Sequence, residues 1–403
     1  AFAIACPRQF EQAAEISSVD SVHIAASALG VGIAPTHAIT LIKVDDRTHA
    51  TWGRPFPVAK ARLVELLELL RGLGPTAILV DFDFSTERDP ADTARFSALL
   101  SSWSGEDPPL LLPAELTVQP DGSVARKDST IDVPESAAKV FWTSVLFRKD
   151  RDHKVREWRL WEHSCESGEL LLSPQLLIAA LLEGGVSEVV RVKSALRKQA
   201  ACLDTDSAQS ELPSWLVDAS LTAPINYVFA RTGQPYVDAF GTSMLTEWSA
   251  ADVLSKGIAP SAVASRTVII GASHAERGDN HATPIGQMEG MRVLANAIAT
   301  GPDVFGMRTI TTIEAVLLWL LFSASGIALL KRLKVAFAGI AILTIAVLFY
   351  AVIARIYGPA NAISVLSWGT TLVGAFFVLE SLIQFLFELI HERRGWRALL
   401  ARE

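Results

Sequence analysis

The densest potential chemistry lies in Leu79-Val-Asp-Phe-Asp-Phe-Ser-Thr86, where Asp81 and Asp83 stand two apart at the end of an apolar run. A strand places every second side chain on one face, so both carboxylates are expected to point into the crevice where ligands of open α/β sheets collect. Such a pair suits covalent catalysis, one carboxylate attacking while its neighbour handles a proton beside a bound cation. A second stretch, Val268-Ile-Ile-Gly-Ala-Ser-His274, also runs from a strand into small residues. Only Gly271 and Gly278 lie near it. The Gly-x-Gly-x-x-Gly spacing of a phosphate-binding turn is therefore missing. His274, Asp279 and His281 share the following loop and have the types to ligate a metal; the expectation taken is solvated loop histidines and no metal.

Asp81 and Asp83 resemble the nucleophile motif of haloacid-dehalogenase-type phosphatases. That resemblance implies a magnesium ion, a later Lys and a downstream acidic pair, for which Gly278-Asp279-Asn280 is the candidate. Here a strand and a helix precede the motif, which normally opens that domain. Structural, half-exposed acids are the expected reading, with the phosphatase kept as an alternative.

The elements that must carry these residues alternate between strand and helix. Ala38–Val44 is a buried-strand run ending in Asp45-Asp46, and the turn Trp52-Gly-Arg-Pro-Phe-Pro57 follows. Leu63, Leu66, Leu67 and Leu70 then fall at helical spacing until Gly72-Leu-Gly-Pro75. Ala77–Phe84 returns as a strand, which makes a β-α-β unit with parallel strands. Shorter strands are expected at Leu110–Pro113, Phe141–Phe147 and Trp158–Trp161, and a helix at Ser173–Leu182 ended by Gly184-Gly185. Ser187–Ser214 lacks clean period and predicts loop or hairpin. Structure resumes at Ala223–Phe229, with a helix at Ser249–Leu254, a strand at Thr267–Gly271 and a helix from Gly290 to Thr300.

Half of the residues are hydrophobic and the excess sits in the last quarter. Ile310–Leu330, Val335–Ala354 and Asn361–Phe387 are three apolar runs, each long enough at about 1.5 Å per residue to cross a hydrocarbon core of about 30 Å. Lys331, Arg332 and Lys334 fill the first connection and Arg393, Arg394 and Arg397 follow the third run, whereas the second connection holds only Arg355. The positive-inside rule puts the first connection and the C-terminus in the cytoplasm, and the large N-terminal region outside. Ala1-Phe-Ala-Ile-Ala-Cys6 reads as the end of a further apolar segment. A net charge of -7 argues against a nucleic-acid partner. Of three cysteines, Cys165 and Cys202 could pair outside the cytoplasm, leaving Cys6; unpaired thiols are equally compatible.

Ile39–Asp46, the Arg54–Pro57 turn, Gly74–Ser85, Val268–Gly271 through Asp279 to Thr283-Pro284, and Gly290-Met-Arg-Val-Leu-Ala-Asn296 ahead of the three runs resemble, in that order, the type-two CHASE domain. Ile225-Asn-Tyr227 and Ala251–Gly257 fit as well. The name denotes an extracellular sensory module associated with cyclases and histidine kinases. The resemblance implies a non-enzymatic bacterial receptor in the inner membrane: the end of an N-terminal segment and linker at 1–30, a periplasmic α/β sensory domain with a mostly parallel sheet at 31–306, a three-helix transmembrane bundle at 307–390 and a cytoplasmic tail at 391–403. Any catalytic output is expected outside this chain. Val58-Ala-Lys60 departs from the family, which tends to place a basic residue straight after the turn's last Pro. Asp45, Asp81, Asp83, His274 and Asp279 are the candidate ligand-binding residues at one sheet edge, and the residues name no cofactor. Glu380, inside the third run, is the candidate for coupling between helices. Expected partners are the lipid bilayer and either a second copy or another envelope or signalling protein. A non-catalytic scaffold of an envelope complex is the alternative reading.

Overall fold

The computed structural model describes residues 35, 37–119, 124–134, 137–150, 152–165, 167–198, 212–213, 215–216, 222–225, 227–229, 236–237, 241–277, 279–305 and 317. The chain divides into two compact units, His23–Met307 and Ala1–Val22 with Arg308–Glu403, and every element below belongs to the first. Apart from Leu317, the three apolar runs lie outside the described residues, as do Glu380, Cys6, Cys202, nearly all of 1–36 and the whole C-terminal tail. Among the described residues, no helix is long and apolar enough to cross a membrane.

The centre is a six-stranded sheet built from β1 (Ile39–Val44), β2 (Ala77–Asp81), β3 (Leu110–Pro113), β6 (Val140–Thr143), β12 (Leu245–Ser249) and β13 (Thr267–Ala272). Its spatial order is β12-β1-β13-β2-β3-β6, and every pairing in it is parallel. β1, β2 and β13 are nearly continuous apolar runs because both faces are covered. Ile39, Leu41, Leu79 and Ile269 face one core, and Ile42, Val44, Val80 and Ile270 the other.

The second face is covered by α2 (Lys60–Arg71), α3 (Pro90–Ser101) and α5 (Ala250–Lys256), through Leu63, Leu66, Leu70, Phe96, Leu100 and Val253. At about 1.5–3 kcal/mol for each fully buried large apolar side chain, this layer contributes heavily to stability. The first face carries α4 (Pro174–Arg197) and α6 (Gly290–Phe305). α1 (Asp46–Thr51) follows β1 directly, and 3-10 turns occupy Pro260–Ala262 and Ala275–Arg277. Small antiparallel pairs surround the sheet: β4 (Leu116–Val118) with β5 (Val124–Arg126), β9 (Trp161–His163) with β10 (Leu170–Leu172), and β14 (Asn280–Thr283) with β15 (Gly286–Glu289). β7 (Phe147–Lys149), β8 (Val155–Arg159) and β11 (Thr222–Pro224) form a further sheet of three.

Several expectations are corrected. The strand expected through Phe84 stops at Asp81, because the Phe82 N–H turns back to the Val80 carbonyl at 3.0 Å. The helix expected to end at Gly184-Gly185 bends there and continues to Arg197. Gly185 takes φ 68 and ψ -153, a left-handed conformation open to glycine, so the pair makes a kink rather than a stop. Beyond it Val189, Val192 and Leu196 are buried at helical spacing, which supplies the period missed in Ser187–Arg197. The loop expected after β13 holds the β14–β15 hairpin.

Candidate functional site

Strand order assembles the C-terminal edge of the sheet from distant segments. β13 lies between β1 and β2, pairing Val44 with Ala272 and Asp81 with Gly271. In open parallel sheets the C-terminal ends of the strands are where ligands bind. Of the five candidates, Asp45 and His274 fall on one side of this edge and Asp81 and Asp279 on the other, while Asp83 stands apart.

On the α1 side, Asp45 caps the helix, accepting from the Thr48 N–H at 2.8 Å and from the Ser249 hydroxyl at 3.2 Å. Asp46 Oδ1 accepts from the Ala275 N–H at 3.0 Å and ties α1 to the segment after β13. Above this tie the imidazoles of His49 and His274 stack, with centroids 3.8 Å apart and planes 4° from parallel. Both are buried. His49 Nε2 lies 3.3 Å from the Pro55 carbonyl oxygen, to which it donates, and its Nδ1 is 3.7 Å from Glu276. Arg54, at φ 52, places its guanidinium 3.5 Å from the same carboxylate. Beside it Phe56 is 83% exposed.

On the α6 side, a Cβ built on Gly271 would lie 3.5 Å from the Asp81 Cβ and 3.3 Å from the Met291 Cβ. Asp81, on the same side of the sheet as Leu79, therefore stands next to the first turn of α6, and it is 9% exposed. Asp279 lies against Gly290, its carboxylate occupying the space a side chain there would need, while its carbonyl accepts from the Gly290 N–H at 2.9 Å. A carboxylate at this helix end is favoured by the helix dipole. His281 Nε2 is 3.0 Å from Asp279 Oδ1, and the His281 ring packs 4.6 Å from that of Phe147. Lys43 Nζ sits 3.1 Å from Glu247 and 2.9 Å from Glu289, and Glu247 also pairs with buried Arg292. These alternating charges tie the ends of β1, β12 and β15 to α6.

Asp83 belongs to neither group. Its carboxylate accepts from the Ser85 N–H at 2.7 Å in its own turn, and the nearby cation is Lys60. Lys60 is buried and donates to Thr130 Oγ1 at 2.9 Å, Thr93 Oγ1 at 3.2 Å and the Thr86 carbonyl at 3.3 Å. Burial lowers its pKa against the opposing pull of Glu87, Asp83 and Asp92. Asp81 faces α6, whereas Asp83 follows the turn at Phe82 and lies near Lys60 at the start of α2, so the two carboxylates expected to point the same way do not. His274, Asp279 and His281 are not gathered either: among the described residues no group of three His, Cys, Asp or Glu could hold a metal ion.

A family model for the CHASE2 domain matches residues 1–330. The chain belongs to the CHASE2 family. No curated protein and no solved structure matches it. CHASE2 domains are extracellular sensory domains, which supports a sensory role for the chain.

Several residues around these strand ends of the CHASE2 domain escaped sequence reasoning. His49 sits in a short polar helix with no motif around it, and only its neighbour across the sheet makes it notable. Lys60 looked like a departure from the family turn, yet it anchors the loop after β2. Arg292 and Asn296 lay in plain view in Gly290–Asn296; Asn296 Oδ1 accepts from the Phe229 N–H at 2.7 Å, and its amide donates to the Arg292 carbonyl at 2.8 Å. Cys165 is disulfide-bonded, and its partner, Cys6 or Cys202, lies outside the described residues.

Proposed function

We propose that this chain is a bacterial sensory protein anchored in the inner membrane, which detects a ligand or protein outside the cytoplasm and passes the signal inward. Residues 1–30 end an N-terminal membrane segment, 31–306 form the outer domain, 307–390 three transmembrane helices and 391–403 a cytoplasmic tail. The observation that carries this reading is the position of α6. It begins among the strand-end charges, beside Asp81 and Asp279, and ends about five residues before the apolar run that opens at Ile310. The disulfide at Cys165 agrees with an oxidising compartment.

A sensor responds only if its ligand binds two arrangements with different affinity. The candidate switch is the set of ion pairs among Lys43, Glu247, Glu289 and Arg292. A ligand competing for these charges re-seats the start of α6, and a shift of that helix along or about its axis is transmitted through the bundle. Glu380 then serves as a contact between helices or protomers. Glu380→Leu leaving assembly and signalling unchanged removes that role. A protein ligand, or a scaffold docked on an envelope partner, is favoured by one observation: Phe56 projects into solvent beside Arg54 at the crevice.

Fusion reporters test the topology. A reporter active only in the cytoplasm is expected to work after Arg332 and Arg397, and one active only after export at Tyr357. The opposite pattern overturns the proposal.

A further inference from the structure

Beyond its kink α4 carries two cations whose charges the sensory reading does not use. Lys193 and Arg197 stand four residues apart, neighbours on the helix surface, while Val189, Val192 and Leu196 turn inward. Like charges at this spacing destabilise a helix. The third cation is Arg126 of β5, whose guanidinium lies 4.4 Å from the centroid of the Trp142 ring of β6 and whose Nη1 is 2.8 and 2.9 Å from the two oxygens of Glu169. Lys193 senses all three of these charges. Burial lowers its pKa, Glu169 opposes that, and Arg197 and Arg126 lower it further.

Arg126, Lys193 and Arg197 therefore gather about one carboxylate, and Arg126 already holds both of its oxygens. Among the described residues no carboxylate forms an ion pair with Lys193 or Arg197. Nearby acids are engaged elsewhere: Glu188 by Arg191 and by the Trp215 Nε1–H, and Glu115 by Lys127. The cluster lies beside Trp142, near the C-terminal end of β6, on the side of the sheet where ligands bind in open parallel folds. In the strand order β6 is three places from β13, about 14 Å away at about 4.8 Å per strand. It is thus separate from the groups around His274 and Asp279.

We infer that Arg126, Lys193 and Arg197 bind a small free oxyanion of two negative charges, of the phosphate or phosphomonoester class. The charge matches, because three cations less the Glu169 carboxylate leave two positive charges without a counter-charge. Guanidinium forks and an ammonium are the donors that take phosphate oxygens. A bound dianion also relieves the repulsion between Lys193 and Arg197. Trp142 and Glu169 hold the Arg126 guanidinium in place, so little ordering of that side chain opposes binding. The site goes beyond the sensory reading and does not depend on membrane anchorage.

Trace acetylation of lysines, read by mass spectrometry, tests it in the full chain held in a non-ionic detergent slightly above neutral pH. Inorganic phosphate is compared with chloride at equal ionic strength, which removes general screening from the comparison. At about 10 mM phosphate, acetylation at Lys193 is expected to slow at least about three-fold by occupancy of the site, with exposed Lys256 unchanged. Arg197→Gln should remove most of that protection. Glu169→Gln, which adds a net positive charge, should strengthen it. Equal rates at Lys193 in phosphate and chloride, or no reaction there in either, overturn the site. Full protection in Arg197→Gln overturns it too, as does weaker protection in Glu169→Gln. Micelles containing phosphatidylglycerol form the last arm: protection by these and not by phosphate overturns the free oxyanion in favour of a lipid headgroup.

Discussion

His49 and His274, from opposite ends of the domain's sequence, lie face to face with ring centroids 3.8 Å apart over the ends of β1 and β13. The stack works as a clasp, because the His49 side chain also donates to Pro55 and its carbonyl accepts from the Arg54 N–H at 2.8 Å. His49→Ala is expected to lower unfolding stability by about 2 kcal/mol, from one lost hydrogen bond and the lost ring contact. Hydrogen exchange should rise first in the 52–57 turn. Unchanged exchange there would show that the stack holds nothing in place.

Lys60 supports the loop after β2 from beneath. Lys60→Ala removes three donated hydrogen bonds and leaves a cavity, and is expected to cost about 3 kcal/mol. Lys60→Met keeps the stem and should recover part of that loss. Chemical denaturation of both variants checks the order, and equal losses would locate the effect in the ammonium rather than the stem.

At the start of α6, Gly290→Ala places a methyl where the Asp279 carboxylate now sits. A loss of about 1–3 kcal/mol is expected from the forced displacement. Because the two groups are in contact, Gly290→Ala combined with Asp279→Ala should be less destabilised than the sum of the single changes. Additive losses in a double-mutant cycle would refute the close approach.

Arg71 holds Asp107 through two contacts of 2.5 Å, which lower the carboxyl pKa to about 2, helped by the Ser104 N–H and hydroxyl. An aspartate in the unfolded chain titrates near 3.9. The folded value is the lower one, so this contribution, about 2 kcal/mol, is fully present above the unfolded value and fades as pH falls toward 2. Asp107→Asn should flatten the acid limb of a stability–pH curve between about pH 4 and pH 2, while leaving its shape near neutrality unchanged.

The Cys165 disulfide predicts one titratable thiol in the unfolded, unreduced protein and three after reduction, as the chain has three cysteines. Cys202→Ser should free Cys165 for alkylation if Cys202 is its partner; Cys6→Ser freeing it instead would reassign the bridge.

Much of the scaffold was legible because its signals are local. The apolar runs at Ile39–Val44, Ala77–Asp81 and Thr267–Ala272 announce strands buried on both faces, and Leu63 to Leu70 a helix with one buried face. The candidate site was legible only as a collection of residue types near strand ends. Two-residue alternation, extrapolated past Asp81, put Asp83 on the wrong side, since a single turn at Phe82 cancels the period. Helical period was likewise obscured in Ser187–Arg197 by the two glycines before it.

Sequence alone determined the family pattern, the buried strands and the three apolar runs near the C-terminus, all of which depend on residues close together in the chain. Tertiary structure decided that β13 inserts between β1 and β2, and so brings Gly271 against Asp81 and His274 against His49. Strand order emerges from packing both faces of the whole sheet at once, a long-range condition that no local period encodes. The same packing placed Asp81 toward α6.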